Sequence, residues 1–106
     1  MQIKLTYKDK VYILEYPLKS IDAMENAGFK ISQVSEFPST GPYTLFAGAF
    51  REHHRTLPDS KIREIYDNLN GRLGLIEKLT EMYAAAINDL YEDKEDEPGN
   101  ASWAVD

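Results

Sequence analysis

The residues with the clearest potential for chemistry are two adjacent histidines, His53 and His54, the only histidines in the 106-residue chain. A zinc-protease helix needs the spacing His-Glu-x-x-His, which places both imidazoles on one face. Neighbouring residues on a helix point roughly 100° apart, so this pair cannot readily share a metal ion. The chain also has no cysteine. We therefore predict no metal site, with His53 at the edge of an apolar stripe and His54 facing solvent.

Other residue types that carry catalysis lack the spacing that catalysis needs. Ser39 and Ser60 do not lie in a Gly-x-Ser-x-Gly elbow, and no glycine-rich phosphate cradle is present. Carboxylate pairs such as Glu77 and Glu81 have the spacing of a solvated helix face. The sequence therefore predicts a protein that is not an enzyme and needs no cofactor.

The overall charge argues against a nucleic-acid partner. The formal net charge is −6 and the sequence pI is about 4.9, so a phosphate backbone would be repelled. The first residues lack the apolar core of a signal peptide, and no stretch approaches the roughly 18 consecutive apolar residues of a membrane span. We expect a cytoplasmic protein with no nucleic-acid and no membrane partner.

The acidity is concentrated at the C-terminal end. Six acidic residues and one lysine lie in residues 92–106, where a Pro-Gly-Asn triplet at 98–100 breaks regular structure. This pattern predicts one domain over residues 1–92 and a disordered acidic tail over residues 93–106. The tail carries the only tryptophan, Trp103. Three interpretations of Trp103 stay open: a docking motif, an ordered end packed on the domain, or a tail without a partner.

The start of the chain has the pattern of a β-hairpin. Ile3, Leu5 and Tyr7 alternate with polar residues, a second β-rich run covers residues 11–16, and Asp9-Lys10 forms a short reversal between them. Two strands alone are marginal in water, so helices or another chain must cover their apolar face. An edge strand of the hairpin is a further candidate contact, by strand addition.

The residues after the hairpin predict about four helices. The first is short, with Ser20 as a candidate cap and Gly28 as its stop. The other three follow the 3.6-residue period and cover residues 43–54, 57–70 and 73–91.

The segment between the first two of these helices is less regular. Phe29, Ile31 and Val34 alternate loosely, which leaves a third short strand open, and residues 38–42 (Pro-Ser-Thr-Gly-Pro) indicate a break. Strands come first and helices follow, which favours an α+β fold. We therefore predict an N-terminal antiparallel hairpin packed against about four α-helices.

One run in the second predicted helix is a candidate binding surface. Its large apolar side chains follow the helical period, and the three small residues between them leave room for another backbone. The run consists of Leu45, Phe46, Ala47, Gly48, Ala49 and Phe50. These residues either belong wholly to the core or also line an exposed groove, and aromatic residues are enriched at binding hot spots. The groove and Trp103 together are the candidate partner-binding residues.

Several short motifs, taken in order, resemble one family. They are residues 4–10 of the hairpin, Met24-Glu25-x-x-Gly28-Phe29, residues 44–50 followed by His53-His54-Arg55, Glu64-Ile65-Tyr66, residues 76–83, and an acidic tail with Ser102-Trp103. Together they span nearly the whole chain. The sequence resembles the small tail assembly chaperones of long-tailed (siphovirus-type) phages and prophages of Gram-positive bacteria.

The resemblance implies a non-enzymatic role, in which the chaperone binds the tape measure protein and keeps it soluble before the tail tube polymerises. It also implies a frameshift-extended form that recruits the major tail protein, and this chain resembles the short form. The expected location is the cytoplasm of the bacterial host and not the mature virion, and self-association would suit a protein that coats a rod. The alternative function is a phage- or prophage-encoded adaptor or inhibitor that binds a host protein.

Overall fold

The computed structural model describes residues 1–92 and 101–105, which contain one antiparallel hairpin followed by five helices. The elements are β1 (Ile3–Tyr7), β2 (Lys10–Leu14), α1 (Leu18–Asn26), α2 (Gln33–Glu36), α3 (Thr40–Gly48), α4 (Asp59–Asp67) and α5 (Arg72–Asp89). This architecture confirms the predicted α+β fold. The acidic tail predicted to be disordered covers residues 93–106; residues 93–100 and 106 lie outside the described residues, and residues 101–105 contain no helix or strand. None of the helices in the described ranges is long and apolar enough to cross a membrane.

The hairpin turns one residue earlier than predicted. Lys8 and Asp9 both have positive φ, 48° and 64°, as a two-residue type I′ turn requires. Such a turn makes Tyr7 and Lys10 a hydrogen-bonded pair, and bonded and non-bonded pairs then alternate along the strands. The alternation leaves the backbone groups of every second residue pointing outward from each edge of the hairpin.

The hydrophobic core lies where α3 crosses between the hairpin and the other helices. Leu45 and Phe46 are 0% exposed, and the Phe46 ring lies 5.1 Å from the ring of Tyr66 in α4. The hydroxyl of Tyr16, just after β2, donates a 2.5 Å hydrogen bond to the Leu45 carbonyl, and burial raises the pKa of Tyr16. Tyr83 of α5 completes this side with its ring 5.3 Å from Tyr16.

The third short strand that the sequence left open does not form at residues 29–34. Phe29 is buried just after the turn that ends α1, and the one-turn helix α2 begins four residues later, at Gln33. The break predicted at residues 38–42 is also wrong in part, because α3 begins at Thr40. A Cβ at Gly41 would overlap the carbonyl of Gln33, so this glycine lets α3 pack directly on α2. Pro42 fits there because the first helical turn needs no bond from its nitrogen.

Other predicted boundaries shift by a few residues. Ser20 does not cap α1, which begins at Leu18 and buries Ser20 inside the helix. The helix predicted over residues 43–54 ends at Gly48. The predicted stop at Asn70-Gly71 lies after the end of α4, and Gly71, with φ 68°, is instead the N-cap residue that precedes α5.

Candidate binding clefts and hairpin edges

The structure divides the predicted partner-binding run into a buried part and an accessible part. Leu45, Phe46 and Ala49 are 0% exposed and Phe50 is 1% exposed, so these side chains hold the core together. For these four residues the predicted exposed groove is corrected, because α3 packs against helices on more than one side. Two small residues, Ala47 and Gly48, are only partly buried and line an open cleft.

This cleft, which we call the α1–α3 cleft, has a volume of about 750 Å³. One wall is α1, and the other is the end of α3 with the turns that follow it. The apolar side chains that line the cleft, several of them almost fully buried, are Ala23, Met24, Ala27, Phe29, Ala47, Phe50, Leu57 and Ile62. A Cβ at Gly48 would lie 2.5 Å from the sulfur of Met24. The close approach that Gly48 permits is therefore made by this chain's own α1 side chain.

Charged residues surround the mouth of the α1–α3 cleft. The Lys19 ammonium of α1 lies 3.2 Å from the Glu52 carboxylate on the opposite wall. Arg51 and Arg55 are exposed on the same wall. The rim therefore has an excess of positive charge over an apolar floor. Such a surface suits an apolar segment flanked by acidic residues.

His54 has the opposite environment from the one predicted. The Ile13 amide donates a 2.9 Å hydrogen bond to His54 Nε2, and the imidazole lies 5.2 Å from the Tyr12 ring and 6.0 Å from the Phe50 ring. Burial, together with the nearby charges of His53 and Lys10, lowers the pKa of His54. The ring is therefore neutral at pH 7, with Nε2 as acceptor and the proton on Nδ1.

His53, predicted at the apolar edge, lies instead on the exposed side. Its Nε2 lies 3.4 Å from the Glu15 carboxylate, which also accepts a 2.5 Å hydrogen bond from Gln2. The Gln2 bond and the His53 contact lower the pKa of Glu15. The prediction for both histidines used helical spacing, and α3 ends at Gly48, before that spacing applies. In the part of the chain that the structure describes, no group of three His, Cys, Asp or Glu residues could hold a metal ion.

The two outer edges of the hairpin differ. On the β2 edge, the Ile13 amide is bound by His54 and the Glu15 amide donates to the Ala49 carbonyl at 3.1 Å. On the β1 edge, the alternation of bonded pairs points the backbone groups of Lys4 and Thr6 outward. No described residue accepts a hydrogen bond from either of these two amides.

A second open cleft, of about 430 Å³, runs beside the β1 edge. Its apolar lining comes from β1, α4, the turn after α4 and the start of α5, and includes Ile3, Leu5, Ile65, Leu69 and Leu75. Lys4 and Lys8 are the charged residues that line it within the described ranges. We call it the β1-edge cleft. It combines an open strand edge, an apolar floor and positive charge.

With this geometry in place, the chain can be compared with known proteins. All of its residues, 1–106, match the model of a family described as Domain of unknown function (DUF5055). The chain belongs to the DUF5055 family. No curated protein and no solved structure matches it significantly.

Trp103 is the partner-binding residue that was predicted in addition to the run at residues 45–50. In this DUF5055 chain its side chain is 86% exposed, as is that of Val105. Residues 101–105 contain no helix or strand. The exposure removes one of the three interpretations, an end packed on the domain. Trp103 is available to a partner, while docking itself stays a prediction.

The sequence did not reveal that His54 binds the β2 edge, nor which residues form the walls of the α1–α3 cleft. Those walls come from segments far apart in the chain, such as Ala23 and Leu57, so no local motif identifies them. The β1 edge had a signal, because a small open sheet always leaves edge strands exposed, and the hairpin edge was predicted as a candidate contact.

Proposed function

We propose that this DUF5055 chain is a non-enzymatic tail assembly chaperone that binds the tape measure protein and keeps it soluble before the tail tube polymerises. The motif order described above supplies the class of function. The observation that supports a specific binding site is the α1–α3 cleft, an open apolar surface with a positive rim next to Ala47 and Gly48.

The cleft suits an amphipathic helix as its ligand. A helix presents apolar side chains as a stripe, and helix-in-groove recognition places such a stripe on an apolar floor. Arg51 and Arg55 would meet acidic residues beside the stripe. A tape measure protein exposes long apolar helices until the tube encloses them, and such exposed surface aggregates.

A single contact of this size is weak, so the proposed mechanism needs many copies. Copies bound along one long helical protein cover successive apolar segments. The chain's net charge of −6 then keeps the complex soluble by repulsion between complexes. A frameshift-extended form would recruit the major tail protein. The complex would form in the cytoplasm of the bacterial host and be absent from the mature virion.

The proposal expects a long helical tape measure protein to be encoded beside this chain's gene, and the test is co-expression with that protein. We expect that protein to be soluble only with this chain and to co-purify with several copies of it. Ala23→Glu places a carboxylate on the α1 wall of the cleft and should reduce the soluble yield at least about tenfold. Ala84→Glu, at an exposed site on α5, is the matched control and should leave the yield unchanged.

Two results would contradict the proposal. In one, the long protein stays insoluble with this chain or is soluble without it. In the other, Ala23→Glu and Ala84→Glu behave alike although both variants are folded. Capture of a defined host protein, with its activity lost, would instead favour the adaptor or inhibitor.

A further inference from the structure

The β1 edge and the C-terminal segment have complementary patterns. Residues 101–105, Ala-Ser-Trp-Ala-Val, alternate so that Ala101, Trp103 and Val105 share one side of an extended strand. The segment has five residues, the same length as β1. We propose that residues 101–105 of one copy add as a strand to the β1 edge of a second copy.

The backbone of β1 supplies the first part of the site. The outward amides and carbonyls of Lys4 and Thr6 repeat every second residue, as the ladder to a further strand requires. Strand addition obtains its affinity from such main-chain bonds and its specificity from pockets for alternate side chains. The β2 edge cannot serve this purpose, because His54 and Ala49 already occupy it.

The β1-edge cleft supplies the second part. Leu5 and Tyr7 point toward the helices, so a strand added beside β1 directs its own alternate side chains over the cleft floor. That floor contains Leu69 and Leu75, which are only partly buried. Trp103 and Val105 are the large apolar side chains that would cover it.

Charge favours this occupant over pairing between two β1 strands. Lys4 and Lys8 line the cleft, with the Lys8 ammonium also 3.7 Å from the Glu64 carboxylate, while residues 92–97 and Asp106 flank the added segment with carboxylates. Two β1 edges would instead bring lysines of both copies together, and lysine on an edge strand disfavours such pairing.

The high exposure of Trp103 shows that the segment does not occupy the cleft of its own chain. Addition to a second copy makes a head-to-tail contact, which extends into a row of copies. The inference does not depend on the proposed function.

Trp103 is the only tryptophan, so its fluorescence reports the contact directly. We expect the emission of the full chain to shift to shorter wavelength as concentration rises from micromolar to millimolar. Over the same range, hydrogen exchange at the Lys4 and Thr6 amides should slow, while exchange at Ile13 stays constant.

Thr6→Pro and Val11→Pro form a matched pair of variants. The two residues lie opposite each other in a non-bonded pair, so each proline removes one outward amide, from the β1 and β2 edges respectively. Thr6→Pro should weaken self-association at least about tenfold, and Val11→Pro should leave it unchanged. Trp103→Ala should weaken it as well, measured by sedimentation.

Three results would overturn the inference. The first is a chain that stays monomeric at millimolar concentration. The second is an emission shift that does not depend on concentration, which would mean that the segment binds its own chain. The third is equal self-association of folded Thr6→Pro and Val11→Pro, which would place the contact away from the β1 edge.

Discussion

The two edges of one small hairpin have opposite surroundings. The β2 edge is closed by residues 49–54, which provide the Ala49 carbonyl for Glu15 and the His54 imidazole for Ile13. The β1 edge keeps its outward amides beside an open cleft. Two-stranded hairpins are marginal alone. Here the turns after α3 take the place of a third strand on one side only, so one edge stabilises the fold while the other remains open for contact.

The largest expected effect is on the core beneath the closed edge. Phe50→Ala removes a ring that packs against Tyr12 and His54, and should lower the free energy of unfolding by about 3–5 kcal/mol. Urea denaturation measures the loss. Phe37→Ala is the control, because Phe37 is 53% exposed and its truncation should change stability by less than about 0.5 kcal/mol. Similar losses in both variants would contradict the assignment of Phe50 to the core.

Proline substitutions compare the two edges directly. Ile13 and Lys4 lie opposite each other, but only the Ile13 amide is bound, by His54. Ile13→Pro should cost about 2–3 kcal/mol in urea unfolding, since it removes this donor and leaves a half-buried acceptor unpaired. Lys4→Pro should cost less than about 1 kcal/mol, because edge strands tolerate proline where the amide faces solvent. Ile13→Ala is the control for the loss of the isoleucine side chain. If Ile13→Pro and Lys4→Pro lowered the free energy of unfolding equally, the two edges would be equivalent.

The adjacent histidines give a smaller and more specific test. His54→Ala leaves the Ile13 amide without an acceptor and should lower the unfolding free energy by about 1–3 kcal/mol. His53→Ala removes only an exposed contact with Glu15 and should change it by less than about 0.5 kcal/mol. A larger effect at His53, measured in the same urea titrations, would support the original prediction from helical spacing.

The sequence predicted what depends on local pattern. Alternation located the hairpin, and the 3.6-residue period located α4 and α5 within a few residues. Prediction from the sequence failed where contacts between distant segments determine the local structure. Gly41 lies in a helix because α3 touches α2 there, and no property of a Pro-Ser-Thr-Gly-Pro stretch indicates that contact.

The candidate site was less predictable than the fold for the same reason. A helical period shows that Phe46 and Phe50 share a face with Leu45, but not whether another element covers that face. The structure shows it covered, so a binding test built on Phe46→Ala or Phe50→Asp would measure unfolding. Ala47, Gly48 and Trp103 are at least partly accessible, which keeps their binding roles as predictions for the experiments above to test.

The smallest expected effect is a pH dependence confined to the β2 edge. Burial and the charges of His53 and Lys10 lower the pKa of folded His54 below its ordinary value of 6.5, so the unfolded chain binds the proton more readily. Stability from neutral His54 is therefore complete above about pH 6.5 and declines as pH falls below it. The lowered pKa of Glu15 affects stability separately, below about pH 4.5.

Urea unfolding between pH 7 and 5 should show this decline in stability, and His54→Ala should remove it. Since protonated Nε2 can no longer accept from Ile13, amide exchange at Ile13, corrected for its intrinsic pH dependence, should accelerate over this range while exchange at Lys4 does not. A decline that persists in His54→Ala, or equal changes at both amides, would show that the difference between the edges does not depend on this imidazole.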